Sequence, residues 1–151
     1  MQLWSGAFTV VLALNVAWFS MGFWYFTVKS VAAAILLVPK SARGSPLFDT
    51  MSASVRFLGA MNFAFALLSA LVLANLSLFG DPRQRALLAG VFAAAHAGQF
   101  LCNVPIAIGG GRRGESLWDV LSGPMLFIFA VDFTLMLANA VVAAGLLTSA
   151  L

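Results

Sequence analysis

Apolar residues in this chain run in long stretches, each closed by a short polar segment. Four such runs, at about 3–28, 51–79, 86–108 and 124–147, are long enough to cross a bilayer as helices. The pattern predicts an all-α integral membrane protein, a four-transmembrane-helix antiparallel bundle forming a single domain. The third run, ALLAGVFAAAHAGQFLCNVPIAI from Ala86 to Ile108, carries the only histidine, His96, followed by Gln99 and Asn103. Spaced at i, i+3 and i+7, these side chains share one helix face. Polar groups are expensive in hydrocarbon, so that face should look at other helices or at a ligand.

The remaining runs carry their own polar residues. The first has Trp4 near one end and Trp24 with Tyr25 near the other, as in the aromatic belts of membrane interfaces, and Asn15 near its middle. The connection from Ser30 to Ser52 opens with VAAAILLVP, too short to span and suited to the interface, and continues as a loop through Lys40, Arg43, Gly44 and Pro46. Arg56 falls a turn inside the second run, with Asn62 and Ser69 on one face. The short link GDPRQR, Gly80 to Arg85, predicts a tight hairpin of spans two and three. Pro105 should kink or stop the third span, GGGRRGE from Gly109 to Glu115 reads as a flexible basic loop, and Trp118 reads as an interface anchor. Pro124 suits a first helical turn, and Asp132 and Asn139 share a face of the fourth span.

Composition agrees with a lipid-facing surface. Hydrophobic residues make up 62% of the 151 and charged residues 9%, against roughly 25% charged in soluble domains. Mean hydropathy is +1.01 and the pI is near 9.8. The net charge of +3 does not point to nucleic acid, because the basic residues sit in short segments between apolar runs, where anionic lipid headgroups account for them. Lys29, Lys40, Arg43, Arg56, Arg112 and Arg113 flank the first and third connections, and only Arg83 and Arg85 flank the second. The positive-inside rule then puts the first and third connections in the cytoplasm and both termini outside, in a bacterial-type inner membrane. The N-terminal run exceeds signal-peptide length and is expected to be a retained helix.

At about 1.5 Å per residue, Arg56 and Asn103 lie ~6 Å inside the cytoplasmic boundary, Asp132 ~12 Å in, and Asn15, Asn62 and His96 ~15 Å from an edge. An unpaired Asp at a helix centre costs about 2.5–3.5 kcal/mol on insertion scales, so Asp132 needs a partner among Arg56, His96 and the amides. Two readings stand. These groups are interhelical hydrogen-bonded bridges, or they line a pocket formed by Arg56, Asn62, His96, Gln99, Asn103 and Asp132. In the pocket reading Arg56 holds an anionic group, His96 and Asp132 are proton-sensitive contacts, and the amides orient the ligand. No nucleophile, catalytic residue or metal site is identified. The lone Cys102 reads as a packing residue.

The opening of the second span, SVRFLGAMNFAFALLSALVL, with Arg56 and Gly59 three residues apart, resembles small bacterial DoxX-like four-helix membrane proteins, as does the four-span layout. The resemblance implies a small bundle of a kind in which some members work with membrane redox partners, and carries over no catalytic residue. The resulting expectation is a multi-pass inner-membrane protein binding or handling a small molecule or lipid. The alternative is an accessory subunit of a larger membrane complex, and homo-oligomers fit either reading.

Overall fold

The fold is inside-out relative to a soluble bundle. Asn15, Asn62, Ser69, His96, Asp132 and Asn139 are buried, while Leu3, Phe57, Leu87 and Ile108 are among many large apolar side chains left exposed. That distribution suits a bundle whose solvent is lipid. The computed structural model describes residues 2–109 and 118–150. The segment with Arg112, Arg113 and Glu115 lies outside the described residues.

Five α-helices follow in order: α1 Gln2–Thr27, α2 Ser30–Leu37, α3 Pro46–Ala74, α4 Pro82–Ile108 and α5 Gly123–Thr148. Four of them, all but α2, are long and apolar enough to cross a membrane. The described residues contain no strand. The protein is an all-α, four-span helical bundle.

Local chemistry sets the helix ends. Ser45 caps α3 by accepting from the Leu47 amide, with Pro46 in the first turn, so the helix starts ahead of the apolar run at 51. It stops at Asn75 instead of continuing to 79, giving way to a 3-10 turn over Leu76–Leu78. Asp81 caps α4 in the same manner, accepting from the Arg83 amide at 2.8 Å. Pro105 does not stop α4, which runs on to Ile108. Lying in the last turn, the proline removes a single backbone donor there. The apolar segment after Lys29 forms α2, packed on α3 and α1. The Arg43 guanidinium donates to the Ile35 and Val38 carbonyls at 2.9 and 3.0 Å, satisfying the end of that short helix.

Helix pairing departs from the expected hairpin. The closest pairs are α1 with α3 and α4 with α5, joined through α1 against α5 and, more loosely, α1 against α4. The link after α3 turns the chain, but α3 and α4 meet mainly through side chains, with Phe65 edge-on to Phe92 at 6.3 Å between centroids. The α1–α3 seam is tight because glycines face bulk across it. A Cβ at Gly22 would lie 2.6 Å from Asn62 Oδ1, and one at Gly59 would run into Thr27.

Replacing Gly59 by leucine should therefore force the α1–α3 seam apart and cost about 1–3 kcal/mol. Gly90→Leu, where an added side chain meets open space, should leave stability within about 0.5 kcal/mol. Thermal unfolding in a mild detergent checks both; equal effects would show that the seam is not the tight contact.

Candidate functional site

The middle of the bundle is held by polar side chains from α1, α4 and α5. His96 on α4 points one ring nitrogen at each neighbour: Nδ1 is 3.0 Å from Asp132 Oδ1 on α5, and Nε2 is 3.0 Å from Asn15 Oδ1 on α1. Asn15 and Asn139 pair amide to amide, Asn15 Nδ2 donating to Asn139 Oδ1 at 3.0 Å and Asn139 Nδ2 donating to Asn15 Oδ1 at 3.2 Å. Trp18, one turn beyond Asn15, donates its indole N–H to Asp132 Oδ1 at 2.9 Å. Phe19 stacks on the His96 ring at 4.8 Å between centroids and closes the remaining side. Asn15, His96 and Asn139 are fully buried, and Asp132 retains 1% of its exposure.

The order of these bonds fixes where the protons are. Asn139 Nδ2 also donates to the Leu135 backbone carbonyl at 2.8 Å, which only accepts, so the Asn139 amide has one orientation. Its Oδ1 must then face the Asn15 amide nitrogen, and Asn15 Oδ1 must face His96. It follows that His96 Nε2 carries hydrogen and donates. His96 Nδ1 then faces Asp132 Oδ1 at 3.0 Å across the α4–α5 contact. Each of these buried polar side chains has a partner, which is what makes the unit tolerable at this depth.

Beside this chain, towards the α1 C-terminal and α5 N-terminal ends, two adjoining cavities of about 290 and 330 Å³ share Phe26, Leu36, Gln99 and Ile128 as walls and form one cleft. Its walls are mostly apolar and aromatic. Polar groups reach it from Asn62, Gln99, Asn103 and Asp132. Asp132 thus joins the buried chain to the cleft, with Oδ1 occupied by Trp18 and His96. Asn103 is tied down, donating to the Gln99 carbonyl and accepting from the Trp118 indole, both at 2.8 Å. Trp118 thus has its indole N–H bonded to α4.

Of the six residues singled out by sequence, the structure brings His96 and Asp132 into direct contact and sets Asn62, Gln99 and Asn103 along the cleft. Arg56 stands apart. It is exposed on α3, bonds the Ser30 hydroxyl at 3.4 Å, and is not among the cleft walls. The partner of Asp132 is His96, which lies in the same layer of the bundle. Two amides seen along the spans, Asn15 and Asn139, prove to belong to the chain, and Trp18 was not anticipated in it. The signal for Trp18 was its i+3 spacing from Asn15 on the inward face. No group of three His, Cys, Asp or Glu side chains able to hold a metal occurs among the described residues. No family model matches the chain, and neither a curated protein nor a solved structure matches it.

Breaking the His96–Asp132 pair from one side leaves a buried polar group without its partner. His96→Leu and Asp132→Leu should each destabilise the bundle by about 3 kcal/mol, and the double substitution by clearly less than the sum. Reversible unfolding of the four proteins of this cycle gives the coupling. Additive losses would mean that the two side chains do not act as a unit.

Proposed function

We propose that this protein is a small multi-pass inner-membrane protein that binds a small amphipathic molecule in the cleft lined by all five helices, α1 to α5. The observation that carries this reading is the cleft itself: apolar and aromatic walls with a few convergent polar groups, which is the usual make-up of a small-molecule site. The apolar body of the ligand packs on the aromatic wall, and its polar end meets Asp132, Gln99 and Asn62. Interhelical bridging and ligand binding are not rivals in this arrangement. The His96–Asn15–Asn139 chain locks three helices, and Asp132 with its donor Trp18 extends from it to the cleft.

The distribution of Lys and Arg supports a cytoplasmic location for the first and third connections, with both termini outside. The cleft then lies in the cytoplasmic half of the membrane, within reach of molecules partitioned into the inner leaflet. The basic connections also favour anionic headgroups there. The resemblance to DoxX-like proteins fits this layout.

Native mass spectrometry of protein released from mild detergent should show a retained small-molecule or lipid adduct. Ile128→Trp, which adds bulk to a wall common to both cavities, should remove the adduct while leaving the helical content intact. An adduct that survives Ile128→Trp would place binding elsewhere. A protein without adduct that co-purifies with a stoichiometric membrane partner would instead favour an accessory subunit.

A further inference from the structure

The cleft is equipped to accept hydrogen bonds and to hold positive charge, and its walls do not offer the arginine that an anion would need. Asp132 is 1% exposed, it lines the cleft, and its Oδ2 receives no hydrogen bond from the described residues. Asn62 spends its Nδ2 on the Leu58 carbonyl at 2.8 Å, which leaves its Oδ1 as the free atom beside Gly22 on the cleft wall. Gln99 contributes an amide that the described residues leave unbonded. Two acceptors and one adaptable amide therefore face the space. Among the described residues its walls include no lysine or arginine.

The rest of the wall has the matching property. Trp18, Trp24, Tyr25, Phe26, Trp118 and Phe127 all line the cleft. Aromatic rings present negative faces, and several of them around a carboxylate are a recognition set for organic ammonium groups. One of these rings already holds an ammonium in this structure: Lys29 Nζ lies over Trp24, 5.5 Å from the ring centroid.

We infer that the ligand of the cleft is a lipophilic organic cation, an amine or quaternary ammonium whose apolar body sits among the aromatic side chains and whose charge lies beside Asp132 Oδ2. This rests on the cleft being a small-molecule site and specifies the chemistry that it selects. The inference reverses the sign expected from Arg56, because that side chain is outside the cleft and the buried ionisable group at its wall is a carboxylic one.

The test uses three probes with one apolar cage and different head groups: 1-aminoadamantane, 1-adamantanol and 1-adamantanecarboxylate. Each is titrated into the full chain in lipid nanodiscs, with empty nanodiscs as the blank, following tryptophan fluorescence. Three of the four tryptophans, Trp18, Trp24 and Trp118, line the cleft and report directly. The amine should bind at least tenfold more tightly than the alcohol, and the carboxylate more weakly than either. Asp132→Asn should abolish the preference for the amine while retaining alcohol binding. Trp24→Leu, which leaves the buried chain untouched, should weaken the amine several-fold and the alcohol little, so the result does not depend on the Asp132 variant folding. Equal binding of amine and alcohol, or tighter binding of the carboxylate, would overturn the cation inference while leaving the cleft as a ligand site. Failure of all three to bind would remove both readings.

Discussion

A carboxyl group in the middle of a lipid-facing bundle is the constraint that the rest of this structure answers. Asp132 cannot remain there alone, because the surrounding helices present hydrocarbon and the bilayer contains no water to solvate it. His96 supplies a ring nitrogen, Trp18 an indole N–H donor, and the amides of Asn15 and Asn139 complete a sequence of bonds that ends on a backbone carbonyl. Each bond in the sequence demands the polarity of the next. The result is a hydrogen-bonded unit that ties α1, α4 and α5 at one level, and it sets the rotation of all three helices about their axes.

That rotation produces the cleft. With His96 turned fully inward, Gln99 and Asn103, three and seven residues on, fall at the border of the bundle and not at its centre. The opening they flank is roofed by α2 and bounded by the aromatic end of α1. Gly22 on α1, with Asn62 and Leu58 on α3, forms the wall next to the α1–α3 seam, and the start of α5 closes the space opposite. A polar group held in the buried chain through one oxygen therefore reaches the cleft wall as well, and on the proposed reading Asp132 serves both stability and binding.

Much of this was legible in the chain. Four long apolar runs dictate four spans, since no other arrangement satisfies that much apolar surface and backbone. The depth of His96 and of Asp132, counted from the ends of their helices, placed them near one layer and made His96 one of the candidate partners, beside Arg56 and the amides. Depth does not give azimuth, however. Arg56 was close enough in height to compete for Asp132, yet it points outward from α3 and bonds Ser30. Trp18 carries an apolar ring that fits a lipid-facing position equally well, and only its direction reveals it as a donor to a carboxylate.

The sequence by itself determined the class of protein, the number of spans and the need for internal partners for each polar side chain, because these follow from hydropathy and from the energy of a polar group in lipid. The tertiary structure decided which groups meet. Pairing of α1 with α3 and of α4 with α5 contradicts the nearest-neighbour order suggested by the short link between α3 and α4. At the α1–α3 seam it goes with Gly22 and Gly59, which let the two backbones approach, while between α3 and α4 the rings of Phe65 and Phe92 intervene. The separation of Arg56 from Asp132 was likewise decided there, since residues at similar depths share one space only if their side chains turn towards it.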